Sequence, residues 1–189
     1  MRIVISMLSF AAAIFGMALA AVPWTTDYQK SSVQFRAVQE GTQFTGSFDE
    51  FTLDIALDPN DLSDASVRAT FDMSSADAGD RDRNSSLPTK DWFFIKSFPT
   101  AQFVSTKIIG VDDGSYKAIG KLSLKGIDKD VTLPFSLVID GDNAHAKGQV
   151  SLNRRDFNVG DGAFKTDTWV GFDVLVLIDI VATRTPLAP

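Results

Sequence analysis

Apolar and polar side chains alternate along most of this chain with a period of two residues. The apolar positions of the alternating stretches are Phe44, Gly46 and Phe48; Leu53, Ile55 and Leu57; Val67, Ala69, Phe71 and Met73; Tyr116, Ala118, Gly120, Leu122 and Leu124; and Val131, Leu133, Phe135, Leu137 and Ile139. Because successive side chains of a β-strand point to opposite faces, each stretch predicts a strand with one apolar face. The chain is therefore predicted to be all-β.

The breaks between these stretches predict how the strands pair. They read "DPNDLSD", "DDGS", "KGIDKD" and "DGDN", which are short clusters of turn-forming residues. Connections of this length join neighbouring strands as antiparallel hairpins. Roughly seven or eight such strands without helical crossovers make a sandwich or an up-and-down barrel, and an interior of about eight strands holds either side chains or one small ligand.

One segment, residues 74–98, lacks the alternation. Asp77 and Thr89 are suitable helix N-caps there, so we predict two short helices inserted between strands, at about residues 76–97. The second of them would carry Trp92, Phe93 and Phe98 on the rim of a barrel.

These rings admit two interpretations: they fill the core, or they line an apolar cavity. Two features favour the cavity. Phe is abundant (15 residues) whereas the polar-tipped Tyr is rare (2 residues). Several inward positions are also glycines, which lack filling volume: Gly46, Gly120, Gly148 and Gly171.

Residues 1–20 have the features of a secretory signal peptide. Arg2 supplies the positive start, an apolar run follows, and "ALA" at 18–20 offers small residues for cleavage. We therefore expect an exported, periplasmic protein whose mature chain, residues 21–189, forms one domain.

Composition argues against several classes of function. The net charge of −6 repels phosphate backbones, so we expect no nucleic acid partner. The absence of Cys rules out disulfides, haem c attachment and iron–sulfur ligation, and a single His argues against a zinc site. That residue, His145, has no nucleophile motif nearby, so we predict no catalytic residues and no metal.

The most apolar stretch outside the signal peptide is "FDVLVLIDIVA" at 172–182. It is shorter than the roughly 20 residues of a membrane-spanning helix and carries Asp173 and Asp179. We predict a buried strand here, and no transmembrane segment in the mature chain.

Five segments in a fixed order resemble the YceI-like periplasmic polyisoprenoid-binding proteins. They read "SSVQF", "GTQFTGSFDEF", "RNSSLPTKDWFFIKSFPTAQFVS", "YKAIGKLSLKGIDKDVTLPF" and "GQVSLNRRDFNV", and the resemblance spans the chain from about Trp24 to Arg184. It implies an extended antiparallel eight-stranded lipocalin-like barrel. It also implies that the pore holds a long isoprenoid or other amphiphilic lipid, polyprenyl or quinone-like, with no catalysis and no other cofactor.

The family motifs fall on specific residues of this chain. They match Gly46 and Phe48; Asp91, Trp92 and Phe93; Phe98, Pro99 and Phe103; Gly120, Leu122 and Gly126; and Asn153, Arg154, Asp156 and Phe157. The chain departs from the family where Ser31 replaces a frequent His and where residues 83–87 read "RNSSL" instead of R-D-x-H-L. Head-group contacts of other members therefore do not carry over to these positions.

From the barrel pattern and the resemblance together we predict a set of ligand-binding residues. They are Phe35, Phe44, Phe48, Phe71, Trp92, Phe93, Phe98, Phe103, Leu122, Phe135, Arg154, Phe157 and Trp169.

The arginines admit two interpretations each. Arg154 and Arg155 either bind an anionic head group, since guanidinium pairs bidentately with phosphate oxygens, or brace a turn at the end of the barrel. The same two interpretations apply to Arg81 and Arg83 in the insert.

A non-enzymatic lipid carrier is the leading functional hypothesis. An accessory protein of a membrane electron-transport system is the alternative, because relatives in this family occur beside or fused to membrane b-type cytochromes, which makes a cytochrome b a candidate partner. An enzyme acting on an apolar substrate is a third. The sequence leaves open whether the barrel forms a homodimer.

Overall fold

The computed structural model describes residues 21–112 and 114–186, in which the strands form one antiparallel sheet. The predicted signal peptide, residues 1–20, lies outside the described residues. The strands are β1 (Pro23–Thr26), β2 (Ser32–Gln39), β3 (Thr42–Phe48), β4 (Phe51–Asp58), β5 (Asp61–Asp72), β6 (Ala76–Asp77), β7 (Thr100–Asp112), β8 (Ser115–Leu124), β9 (Ile127–Asp140), β10 (Asn143–Asn153) and β11 (Asp173–Arg184).

The sheet closes into a barrel because β1 pairs with β11 on one side and with β4 on the other. Trp24 lies opposite Arg184 of β11 and opposite Ile55 of β4. The ring runs β1-β4-β5-β7-β8-β9-β10-β11 and returns to β1. This confirms the predicted antiparallel eight-stranded barrel and excludes the sandwich.

Strand β11 is longer than β1, and its first half pairs with β2 instead. Val33 lies opposite Ile178, and β2 then forms a hairpin with β3, in which Phe35 lies opposite Gly46. The short β6 pairs with the end of β3. Strands β2, β3 and β6 thus extend the barrel wall beyond β1.

The inward side chains form two separate buried clusters. One surrounds Trp24, whose indole Nε1 donates a 2.9 Å hydrogen bond to the carbonyl oxygen of Leu57 and so closes one end of the barrel. The other surrounds Phe35, Ala78 and Leu87 near the opposite end. We call these the closed end and the capped end.

The insert at the capped end contains one α-helix among the described residues, α1 (Arg81–Ser86). Its N-cap is Asp80 and not Asp77 as predicted. The Asp80 carboxylate accepts hydrogen bonds from the backbone N–H groups of Asp82 and Arg83, at 2.9 and 3.2 Å. The prediction placed the cap three residues early because "DAGD" offers two aspartates, and spacing does not choose between them.

The second predicted helix, starting at Thr89, is wrong. Residues 88–97 form consecutive turns in which the carbonyl oxygen of Thr89 accepts from both Trp92 and Phe94. Phe94 has a φ of 50°, which an α-helix does not contain. The aromatic residues are therefore presented by turns, and their directions do not follow helical spacing.

The inward glycines do not open space in the barrel, contrary to the prediction. A Cβ on Gly46 would collide with the ring of Phe35, and one on Gly148 would come within 2.9 Å of Phe135 Cβ. Neighbouring groups already fill the volume that these glycines leave. Gly171 lies beside Val38, whose side chain is exposed.

We predict that Gly120→Ala lowers the free energy of unfolding by about 1 to 3 kcal/mol, the usual cost of overpacking. Its Cβ would meet backbone atoms of the neighbouring strand, including Ser105 Cα at 2.7 Å, and backbone cannot rotate away. Gly110→Ala is the matched control, because its nearest neighbour is Leu62 Cδ1 at 3.8 Å. Urea unfolding of both variants measures the difference, and equal losses would contradict the close approach.

Candidate functional site

An apolar cavity of about 970 Å³ lies between the two buried clusters. Its wall along β11 includes Val174 and Ala182, eight residues apart, which at about 3.3 Å per residue corresponds to roughly 26 Å along the strand. Side chains from every strand of the eight-stranded ring reach its surface. The cavity is therefore elongated, as a chain-like apolar ligand requires.

Most of the predicted ligand-binding residues line this cavity. They are Phe35, Phe44, Phe48, Phe71, Trp92, Phe93, Phe103, Leu122, Phe135, Arg154 and Phe157. Two others do not. Phe98 packs over the turn at Gly126, with ring Cε1 2.7 Å from the glycine's Cβ position, and Trp169 is 50% exposed on the outer surface.

Aromatic rings form a continuous layer at the capped end of the cavity. Phe48 is the central ring, with centroids 5.4 Å from Phe35, 5.6 Å from Phe71 and 6.3 Å from Phe93. Phe44 meets Phe35 edge-on at 6.4 Å. Tilted and edge-on rings at these distances attract one another, so the layer holds its shape without a ligand.

Trp92 forms a second aromatic pair at the capped end, separate from the rings around Phe48. Its ring lies 5.1 Å from Phe164, a lining residue that sequence reasoning missed because residues 158–172 carry no alternation. Its Nε1 is buried and has no hydrogen-bond partner among the described residues. Such a donor costs stability, so the position of Trp92 is set by packing and not by hydrogen bonding.

The lining residues that reach solvent lie between α1 and the β2–β3 turn. Among the described lining residues the exposed ones are all polar: Glu40, Thr42, Gln43, Asp80 and Asp82. We call this group, together with Arg83, the mouth.

Arg83 braces the mouth from the helix side. Its Nε donates to the carbonyl oxygen of Ala78 at 2.9 Å and its Nη1 to Gln39 Oε1 at 3.2 Å. Its guanidinium lies 4.5 Å from the ring centroid of Phe44, within cation–π range. Arg81, the other arginine of α1, is exposed and does not line the cavity.

Arg154 is 4% exposed and holds the loop that covers the capped end. Its guanidinium donates to six backbone carbonyl oxygens at 2.8 to 3.1 Å: those of Val159, Gly160, Phe164, Thr166, Val170 and Gly171. A guanidinium has five N–H groups, so these acceptors engage them all. The geometry supports the bracing interpretation of Arg154 and leaves no donor for a head group.

The charge of Arg154 is balanced by carbonyl dipoles and not by a buried carboxylate. Burial, together with the nearby Arg155, lowers the pKa of the Arg154 guanidinium from its usual value, but an arginine stays protonated in proteins. Arg155 pairs with Asp161 at 3.0 Å, and Asn153 Oδ1 accepts from the Arg155 N–H. The N-R-x-D-F motif therefore builds the covering loop and places Phe157, 2% exposed, against the cavity.

Other candidate chemistry lies away from the cavity. His145 is on the outer face of β10, with Nε2 2.5 Å from Asp179 Oδ1. Within residues 21–112 and 114–186, no group of His, Cys, Asp and Glu side chains is arranged to hold a metal ion. In the same residues, no helix has the length and apolar character of a membrane crossing.

Comparison with known sequences gives one family. The model of the YceI-like domain matches residues 24–182. A UPF0312 protein of Yersinia pestis (strain Pestoides F) is 30% identical over 167 residues, 77% of this chain and 85% of that protein. A UPF0312 protein of Vibrio vulnificus (strain YJ016) is 29% identical over 136 residues, 68% of this chain and 72% of that protein.

Solved structures share the fold. BcnA of Burkholderia cenocepacia superposes with a TM-score of 0.81 at 33% identity, covering 84% of this chain and 100% of that one. A domain from Saccharophagus degradans, described as polyisoprenoid binding and implicated in plant cell wall breakdown, gives a TM-score of 0.68 at 11% identity. That match covers 87% of this chain and 99% of the domain.

We predict opposite effects for two aromatic substitutions at the capped end. Trp92→Ala enlarges a cavity that already exists, so it costs the unliganded protein less than the ~3 to 5 kcal/mol of a ring lost from a packed core, while apolar ligand affinity falls. Phe98→Ala is the control outside the cavity, and it lowers stability but leaves affinity unchanged. Urea unfolding and lipid binding measured on both variants test this, and unchanged affinity in Trp92→Ala would show that its ring serves folding alone.

We predict that Arg154→Ala lowers the free energy of unfolding by about 3 kcal/mol or more, since several buried carbonyl groups lose their donors at ~1 to 3 kcal/mol each. Arg154→Lys does not restore it, because an ammonium cannot reach carbonyls in so many directions. Arg155→Ala, which removes a half-buried ion pair, is the control and costs less. Equal losses for Arg154→Ala and Arg155→Ala in thermal and urea unfolding would contradict the bracing role.

Proposed function

Because this chain belongs to the YceI-like family, we propose that it is a non-enzymatic periplasmic carrier that binds a long isoprenoid or similar amphiphilic lipid in its barrel. The observation that carries the proposal is the elongated apolar cavity, whose exposed lining residues are the polar ones of the mouth. Its volume of about 970 Å³ lies at the upper end of the ~300 to 1,000 Å³ usual for ligand pockets.

The lining supports an apolar tail as the main source of affinity. Inside the mouth the wall is aliphatic and aromatic, and the buried Arg154 has no free donor. At about 0.8 kcal/mol for each buried CH₂ group, a few isoprene units contribute more than one exposed ion pair of about 0.2 to 1 kcal/mol, although ordering the tail offsets part of the gain.

The relatives support the same ligand class. The Saccharophagus degradans domain that shares this fold is described as polyisoprenoid binding. Methyl-branched isoprenoid tails suit a wall that mixes ring faces with Val, Ile and Leu side chains, because both partners are irregular in cross-section and wholly apolar.

The proposal includes that the protein binds its ligand without catalysing a reaction. The apolar wall presents no nucleophile and base within reach of each other among the described lining residues, and His145 lies outside the cavity. Residues 1–20, with the features of a signal peptide, support export to the periplasm.

Native mass spectrometry of freshly purified protein, followed by organic extraction, tests the carrier proposal. We expect a co-purified lipid of one tail class, and saturable binding when delipidated protein is titrated with geranylgeraniol. Hydrolysis of a prenyl ester by the protein would favour the enzyme hypothesis. Failure to bind any prenyl lipid, combined with a stable complex with a membrane cytochrome b, would favour the accessory role.

A further inference from the structure

The polar groups of the cavity are concentrated at its mouth, which determines where a head group binds. Beyond the mouth the accessible wall is apolar, and the guanidinium of Arg154 is fully engaged by backbone carbonyls. The unpaired indole Nε1 of Trp92 is buried beneath that surface, so a polar head group there would lose its hydration without gaining a partner. An amphiphile therefore binds with its tail inside and its head group at the mouth.

The mouth has a surplus of negative charge. Glu40, Asp80 and Asp82 contribute three carboxylates. The guanidinium of Arg83 and that of Arg81, exposed on α1 between the two aspartates, contribute two positive charges, so the balance is negative by one. Hydrogen bonds from the backbone N–H groups of Arg83 and Asp82 lower the pKa of the Asp80 carboxyl, so it is ionised at neutral pH.

Arg83, the basic side chain among the described residues that form the mouth, is already engaged by protein groups. Arg83 donates to Ala78 and Gln39 and stacks on Phe44, so recruiting it for a ligand would disrupt the bracing of the mouth. A diphosphate needs several charge-assisted donors in place of its hydration shell. Among the described lining residues, Arg83 and Arg154 are the basic side chains, and both are engaged.

We propose that the mouth selects amphiphiles by charge: the barrel prefers prenyl lipids with an uncharged polar head group, such as an alcohol or a quinone, and rejects prenyl phosphates and diphosphates. The amide of Gln43 and the hydroxyl of Thr42 at the same opening supply hydrogen bonds to a neutral hydroxyl or carbonyl. The inference rests on the proposed function, because it assigns the head group of the ligand whose tail fills the cavity.

Three ligands with one tail test the selectivity: geranylgeraniol, a geranylgeranyl benzoquinone and geranylgeranyl diphosphate. Isothermal titration of the delipidated protein at low salt is expected to give similar dissociation constants for the two neutral ligands. We expect at least a tenfold weaker constant for the diphosphate. Because the mouth is open to water, added salt narrows that gap by screening.

Two double variants test whether the mouth carboxylates cause the weaker binding of the diphosphate. Glu40→Gln with Asp82→Asn removes two mouth carboxylates and keeps Asp80, which caps α1. Asp54→Asn with Asp140→Asn removes the same charge from exposed positions that do not line the cavity. We expect the first pair to bring the diphosphate close to the neutral ligands, and the second pair to leave the gap as it is.

The outcomes separate this inference from the proposed function. Diphosphate binding as tight as or tighter than that of the alcohol would overturn the charge selection and leave lipid binding standing. A gap that persists unchanged in Glu40→Gln with Asp82→Asn would also overturn it, because the mouth carboxylates would not be its cause. Binding of none of the three ligands by the folded protein would overturn the proposed function itself.

Discussion

The pairing of β1 with β11 is the constraint on which the other features of this protein depend. By joining the first strand to the last, it turns an open sheet into a ring and leaves no free edge between β1 and β11. A ring of eight strands has a set circumference, and side chains of ordinary size do not fill it completely here. The cavity is thus a consequence of closure, with Trp24 filling one end.

The capped end of the barrel is covered by chain segments that lie outside the ring of strands. Two largely irregular segments cover it, residues 73–98 and 154–172. Arg154 holds the second segment in place by donating hydrogen bonds to six of its backbone carbonyl oxygens. Lys125 adds a link between the β8–β9 turn and the same loop, donating to Asn158 O at 2.6 Å, and burial lowers the pKa of its amine. A polar cluster therefore holds the apolar cap in place.

The stretch that links the insert to the covering loop also contributes rings to the cavity wall. Asp91 places Trp92 and Phe93 against the cavity while its own carbonyl oxygen accepts the N–H groups of Gly160 and Asp161, both at 2.8 Å. The insert and the covering loop are joined at this point.

Much of the fold was predictable from the sequence, because period-two alternation is a local property that reports which face of a strand is apolar. The strand character of the chain and the inward faces of residues such as Leu122 and Phe135 followed from it, and the short turn clusters between the strands predicted their antiparallel pairing. Helix assignments in the insert failed, since turns that depend on contacts with distant loops have no local period. Three of the four predicted inward glycines, Gly46, Gly120 and Gly148, lie on the inner face, but they do not create the cavity, because neighbouring groups occupy the space they leave.

The sequence by itself determined the all-β fold and the apolar inner face of the strands, because both depend on residue type and spacing within one strand. Only the tertiary structure decided which rings line the cavity and which, like Phe98 and Trp169, lie outside it. It also decided that Arg154 is used up by backbone carbonyls and that carboxylates surround the opening. These properties arise where segments far apart in sequence meet, and the direction of a side chain on an irregular segment is set by its three-dimensional neighbours.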